Sequence, residues 1–535
     1  MGSNADKIAA TSAASFSGTN TLKLSGSAAP GNYTLISSPA ALSGTFALDT
    51  SGMTAGFTSF SGAVTGNDYV LTVTGSPLPG LAYWTGDISS SWSDASQAPS
   101  NSNWATDASG TTDALQIPSV GTDIVFASTS STNNTSELTT DMSVDSVTFS
   151  SGSFSISGTK SLALVSTNAN GHALEVQANA TASLSMGASV WSGSTHVQAD
   201  GTLLVGAATA LGDADAPLSV DGTLTLNANV TKGELTGSGV INANTAATLG
   251  VASTLGSSFS GAFEDGSAAL SLSKTGAGKL TLLGASSHTG VTTVSAGQLE
   301  IGNGATNGAL GAGPITVNAG GILSWNHSDD ITVANNISGA FANVVQNGAG
   351  ALTLSGTNNF ATGAGGGLVI NNGSLVLGSS TAVPTNVVLG VRGGTLDLNG
   401  YNTTSGWLDG TNTGVVTDRS STAGTTTLTL NVASNPTCAA AINDGSNGRV
   451  LALVKTGTGT QTLSGSSNFS GGTQLRGGLL QVNSNSALGT GTVVVPGNNA
   501  DITRLQFGPG VTFANNIELG TPCLLYTSPS PRDRG

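Results

Sequence analysis

Residues Lys274 to Gly304 read KTGAGKLTLLGASSHTGVTTVSAGQLEIGNG, a stretch with almost no charge, no proline and a glycine every few residues. Its opening, KTGAGKLTLLG (274–284), is written again as QNGAGALTLSG (346–356) and KTGTGTQTLSG (455–465). Each copy is followed by a Ser/Thr/Asn/Gly turn and a second element, GQLEIG (297–302), GSLVLG (373–378) and GLLQVN (478–483); an earlier copy of that element, GTLLVG (201–206), lacks the first partner. A third element, Ala-Leu-Gly, begins at Ala210, Ala309 and Ala487 and leads into alternating runs such as PITV (314–317) and TVVV (492–495). Apolar and polar residues alternate in Gly297–Ile301 and in Gly394–Leu398, the mark of a strand with one face buried. Asn-Gly, Gly-Gly and Ser-Gly pairs close nearly every run, so turns come about every 8 to 12 residues.

Two architectures fit short strands at this spacing: a sandwich of hairpins, or a solenoid in which each strand stacks on its equivalent one coil later. An uninterrupted array this long favours the solenoid, because a sandwich stops growing once its core closes. The expectation is an all-β chain, a right-handed parallel β-helix (β-solenoid) with a β-rich N-terminal cap or the remnant of a preceding block. Stacked coils place like side chains about 4.8 Å apart, so bulky charges would repel while Gly, Ser, Thr and Asn do not. With roughly 20 residues per coil, residues 145 to 522 would give about 19 coils and a rod on the order of 90 Å.

Composition agrees. Charged residues are 8% of the 535, against about 25% in an ordinary soluble domain, and 76 residues are glycine. Hydrophobic residues reach 38%, too many for a disordered chain, but aromatics are only 5%, so the core is thin. The net charge of −15, with no basic patch, argues against nucleic acid as a partner. No 18-residue apolar run marks a transmembrane helix.

Four segments are expected. Residues 1–77 hold the closing strands of a preceding β block and end in the linker signal Ser76-Pro-Leu-Pro-Gly. Residues 78–150 are a Trp-rich lead-in or cap, with Trp84, Trp92 and Trp104 supplying half of the six tryptophans. Residues 151–522 are the β-helical repeat array. Residues 523–535, CLLYTSPSPRDRG, break from the composition before them and resemble a translated sequencing adapter. Setting that tail aside leaves Cys438 as the single cysteine, a small buried residue in an apolar setting.

The motif Lys-Thr-Gly-x-Gly-x-Leu-Thr-Leu-x-Gly, followed by Asn-x-(Tyr/Phe)-x-Gly-x-Thr and Gly-x-Leu-x-(Ile/Val/Leu), resembles the autotransporter-associated β-strand repeat, also called the passenger-associated transport repeat. It is clearest at Lys274–Gly302 and Lys455–Val482. The middle copy has Gln346 for Lys and extra glycines at 363–367, and the first copy has His288 where an aromatic is usual. Tyr83-Trp84-Thr-Gly and Gly121–Phe126 resemble the lead-in before such arrays in large bacterial surface proteins. The resemblance implies an internal fragment of a giant exported protein. Its β-helical passenger would be displayed extracellularly or at the outer-membrane surface, with repeats that assist passage through that membrane. MGSNADK (1–7) lacks the features of a signal peptide, consistent with a fragment. Partners would be cell-surface or extracellular glycans or proteins and the outer-membrane translocation machinery.

Parallel β-helices also carry polysaccharide lyases and glycosidases, whose sites need carboxylates converging from several coils, or a carboxylate-bound metal with an Arg or Lys base. The candidates here are sparse. Asp213 and Asp215 could hold calcium weakly but read as solvated turn acids. Trp325, His327, Asp329 and Asp330 could form a sugar-binding spot, or a loop bulging from a coil. His172, His196 and His288 read as isolated from one another, with no metal or triad pattern. Lys274 and Lys455 open their repeats at equivalent places and read as structural. The glycines at 363–367 lack the Lys-Ser/Thr of a phosphate loop. The expectation is a non-enzymatic passenger or stalk, with adhesion as a candidate role, without catalytic, cofactor or metal residues; the alternative is a β-helical polysaccharide-degrading enzyme.

Overall fold

The computed structural model describes residues 8–26, 31–53, 59–74, 80–94, 102–340, 342–361, 367–496 and 503–520. The segment MGSNADK, most of the linker signal at 76–80, most of the glycine run at 363–367 and the tail 523–535 lie outside the described residues. Every regular element among the described residues is a strand, so the fold is all-β. The chain divides into two compact units, residues 1–233 with 238–247, and residues 234–237 with 248–535.

In the first unit, residues 8–74 include antiparallel pairing. Gly31–Ser37 lies against Asp68–Thr74, which hairpins through Gly66 from Ser59–Thr65, around Leu35, Ile36, Tyr69, Leu71 and Val73. From Leu81 onward the strands stack in parallel, coil on coil. One sheet runs from Leu81–Trp84 through Asp123–Phe126, Ser146–Phe149, Leu174–Val176 and Thr195–Val197 to Leu218–Val220. A second runs from Thr135–Leu138 through Gly152–Gly158, Ala180–Ser185, Thr202–Val205 and Thr223–Leu226 to Val240–Ala243. Stacking thus starts ahead of residue 151, because the Trp-rich segment supplies inward-facing strand residues of its own. Trp84, Trp92, Trp104, Phe126 and Phe149 are fully buried against one another, with Trp84–Trp104 centroids 5.1 Å apart and Phe126 stacked on Phe149 at 4.8 Å. The two-residue strand Trp104–Ala105 pairs antiparallel to Tyr83-Trp84, which ends the parallel ladder with a short edge that offers little to a further strand.

The second unit is a parallel β-solenoid whose backbone is a twelve-stranded sheet from Ser257–Phe259 to Arg504–Phe507. One inward column can be followed through it by register: Phe259, Leu282, Ile301, Trp325, Gln346, Ile370, Val391, Gly410, Cys438, Leu463 and Val482, with exposed Phe507 next in register. Alternation of apolar and polar residues along each strand creates this column, since a period of two sends every second side chain inward. From Ile331–Val333 to Ala441–Ile442 a six-stranded sheet adds a further strand to each coil. The repeat copies consequently do not occupy one face. KLTL of the first copy and TQTL of the third lie in the twelve-stranded sheet, whereas in the middle copy that sheet takes Asn343–Gln346 and the six-stranded sheet takes Ala351–Leu354.

At one level the twelve-stranded ladder is interrupted. Pro436 stands between Leu408 and Gln461 and has no N–H to donate. Buried Gln461 reaches across it: Nε2 donates to Leu408 O at 3.0 Å and Oε1 accepts from Leu408 N–H at 3.3 Å. A side-chain amide stands in for the missing strand residue.

Candidate functional site

The repeat signature resolves into corner chemistry. Lys274 and Lys455 are fully buried, and each ammonium is held by main-chain carbonyls alone. Lys455 Nζ donates to Thr456 O (2.8 Å), Gly457 O (3.0 Å) and Gly477 O (3.0 Å); Lys274 Nζ donates to Thr275 O (2.6 Å), Gly276 O (2.9 Å) and Ala296 O (3.3 Å). Two of the acceptors lie in the lysine's own turn and the third in the turn one coil later, so the side chain pins consecutive coils together. Gly276 and Gly457 both adopt φ of +74°, the left-handed conformation that places their carbonyls in this geometry. Gln346 replaces the ammonium with an amide, donating to Gly348 O at 3.0 Å and Gly350 O at 2.9 Å. Burial pushes the Lys455 ammonium down to about 8 and lowers Lys274 as well.

The Ala-Leu-Gly corners are closed on the same principle. Lys232 Nζ donates to Leu211 O and Asp213 O, both at 2.8 Å. Asn335 Nδ2 donates to Gly311 O (2.7 Å) and Gly313 O (2.6 Å), and Asn515 Nδ2 to Leu488 O (3.3 Å), Gly489 O (3.1 Å) and Gly491 O (2.8 Å). Asp213 therefore contributes its carbonyl oxygen. Neither Asp213 nor Asp215 joins a metal-ligating group among the described residues.

Other residues singled out from sequence fall into place individually. Lone His288 is fully buried at the position taken by Phe360 and Phe469 in the other copies. Its Nε2 lies 3.0 Å from Thr292 Oγ1, its ring meets Phe263 at 6.0 Å, and burial holds its pKa below the ordinary value. Cys438 is buried and free, with its thiol pushed up to about 12 by burial. Trp325 is buried in the inward column, which removes the aromatic from the sugar-binding spot these residues could have formed. The expected bulging loop is a regular corner: Gly350 N–H donates to His327 O at 3.0 Å and Ala351 N–H to Asp330 Oδ1 at 2.8 Å on the coil below. His327 Nδ1 pairs with Asp329 Oδ1 at 3.2 Å.

The reading of His172 and His196 as isolated is corrected by the structure. Their rings lie 4.6 Å apart, and with Glu175 they form a group whose ligand-capable atoms are all within 4.8 Å of one another. Glu175 and His196 are register partners on adjacent coils, while His172 enters from the turn that precedes Leu174–Val176. Glu175 is 1% exposed and is held by amides: Asn168 Nδ2 at 2.7 Å, Asn170 Nδ2 at 2.9 Å and Gln198 Nε2 at 2.6 Å. Burial opposes its ionisation, but these donors outweigh burial and its carboxyl titrates below the usual range. His172, desolvated and beside His196, is held below the ordinary imidazole value. His196 Nε2 meets Asp221 Oδ2 at 3.2 Å. Sequence spacing concealed this cluster because the coil between these residues has no repeat signature to align; the signal was the outward register position shared by Glu175 and His196.

Compared with known proteins, residues 272–301, 344–377 and 453–482 match the family model described as Passenger-associated-transport-repeat. The chain thus carries these repeats at three places, each containing one of Lys274, Gln346 and Lys455. No curated protein and no solved structure matches.

Proposed function

We propose that the chain is a non-catalytic passenger segment of an autotransporter-like protein, displayed outside the cell or at the outer-membrane surface, whose matched repeats help it cross the membrane by folding coil on coil. The observation that carries the reading is the capped corner, where Lys274 and Lys455 tie their own turn to the next coil and Gln346 closes its own turn. In a stack of this kind every coil gains its burial from its neighbour, so order propagates along the chain without waiting for distant partners. Burial of Leu475, Leu480 and Val482 in one coil alone contributes roughly 5–9 kcal/mol gross before chain entropy is subtracted. That gain is released at the exit side as each coil docks, which biases an emerging chain outward. A chain with few charges, whose Cys438 forms no disulfide, suits passage in the unfolded state.

The experiment fuses the chain between a secretion leader and an outer-membrane β-barrel and measures protease-accessible chain on intact cells. Deleting 453–482 should slow surface appearance several-fold, while a deletion of equal length at 395–424, outside the matched repeats, should slow it less. Equal effects would refute the transport role. Release of new sugar ends from polysaccharides by the purified chain would instead support the enzymatic alternative.

A further inference from the structure

We propose that His172, Glu175 and His196 form a binding site for one divalent transition-metal ion of the zinc class, with Asp221 as the residue that orients His196. The donor set, two imidazoles and a carboxylate, is the kind that zinc, nickel and copper prefer over calcium or magnesium.

Proton placement supplies the argument. Asp221 Oδ2 accepts at 3.2 Å from His196 Nε2, so Nε2 carries the hydrogen and Nδ1 presents a bare lone pair. His196 Nδ1 is buried without a hydrogen-bond partner and faces Glu175 Oε1 at 3.9 Å. That separation is too long for a hydrogen bond, but an ion with ligand distances of about 2.0–2.2 Å on each side spans it. Two electron-rich atoms directed at one another in a desolvated space repel unless a cation lies between them. On the third side, Ser194 Oγ donates to Gly171 O at 3.4 Å, so it accepts from His172 Nδ1 at 2.7 Å and leaves His172 Nε2 as the coordinating nitrogen.

The surroundings fit a resident cation. Glu175 and Asp221 are carboxylates whose ion-pair partners among the described residues are histidines alone. Glu175 Oε1 accepts from Gln198 Nε2 at 2.6 Å and, at a longer 3.1 Å, from Asn170 Nδ2, which lies closer to Oε2 at 2.9 Å; the long Asn170 contact to Oε1 is the one an ion at that oxygen would replace. Asp221 is itself fixed through Oδ1 by the N–H and hydroxyl of Ser238, both at 3.0 Å. This chain of carboxylate, histidine and vacant lone pair is the arrangement by which second ligands orient imidazoles toward metals. The ligands come from two adjacent coils, so an ion here would also clamp those coils together.

The test uses the full, untagged chain at pH 7, titrated with zinc chloride alone and with cobalt chloride alone. The expected results are one ion per chain by equilibrium dialysis, visible cobalt absorbance, and a zinc-dependent rise in thermal midpoint. Glu175→Gln and His196→Ala should each weaken binding more than tenfold, and Asp221→Asn by about 10- to 100-fold. His327→Ala, placed in the second unit, should leave binding unchanged. Circular dichroism identifies any variant that fails to fold, and zinc protection of His172 and His196 from diethylpyrocarbonate in the wild-type chain gives a reading that needs no variant. Absence of stoichiometric binding by wild type, binding that survives His172→Ala combined with His196→Ala, or failure of zinc to protect either histidine would overturn the proposal.

Discussion

Replacing Lys455 by methionine and by glutamine separates the two contributions of the buried corner. Methionine keeps the apolar stem but removes all three donations, to Thr456 O, Gly457 O and Gly477 O. Thr456 O still accepts from Val432 N–H at 3.0 Å, so two carbonyls, those of Gly457 and Gly477, lose their donor. A buried acceptor left unsatisfied costs about 1–3 kcal/mol, which brackets the loss at roughly 2–6 kcal/mol, and relief of a desolvated charge brings it into the lower half, about 2–4 kcal/mol. Glutamine should cost less, about 1–2 kcal/mol, because Gln346 at the equivalent place caps Gly348 O, the counterpart of Gly457 O, but makes no donation to the next coil, so only Gly477 O loses its donor. The stack is not expected to melt in one step, so the suitable assay is hydrogen exchange with mass spectrometry on peptides spanning 449–482, which reports local opening. The methionine variant should open at least tenfold more readily than the glutamine variant, a difference of about 1.4 kcal/mol. Equal protection in the two, or greater protection in the methionine variant, would refute the capping argument.

Other expectations follow from the same packing. His288→Phe should leave thermal stability within about 1 kcal/mol, since it reproduces Phe469 beside Thr473, whose hydroxyl is already buried without a partner; His288→Ala should cost about 2–4 kcal/mol through the cavity it leaves. Gly278→Ala drives a methyl into the main-chain oxygen of Leu255 on the coil below and should destabilise by about 1–3 kcal/mol, read as a lower thermal midpoint. Lys455 titrates at about 8 in the fold against an ordinary 10.5, so between those values the unfolded chain holds a proton that the folded chain has released. Stability attributable to this group therefore rises with pH from about 8 to 10.5 and is lost as pH falls through 8; the thermal midpoint of Lys455→Gln should lack that component of the slope.

The fold was legible because it is written in short-range terms. Alternation in Gly297–Ile301 and recurrence of Lys-Thr-Gly are properties of neighbouring residues, and they suffice to specify a strand, a corner and a stack. The burial of Trp325 followed from the same alternation, since Leu323 and Trp325 share a parity in Gly321–Trp325; its rarity as an aromatic drew attention to the surface instead. The His172, Glu175 and His196 cluster was not legible, because meeting there depends on coil circumference. Register offsets between successive coils vary, Val147 pairing with Leu174 but Leu174 with Thr195, so no fixed spacing in the sequence predicts which polar residues are superimposed. The alternation of donors at the corners, ammonium in one copy and amide in another, was hidden for a related reason: Gln346 looked like a departure from the motif, whereas the requirement is for a long side chain ending in N–H.

The bridge made by Gln461 over Pro436 has a further consequence for how such an array can vary. Because one amide side chain can carry the axial lattice past a level that lacks a donor, the periodicity need not be upheld by main chain at every storey. Coils of different girth can be spliced between regular ones while the windings above and below stay in step. The architecture is extensible in unequal increments, and an interrupted storey is a place where a new surface feature can be hung without disturbing the spine.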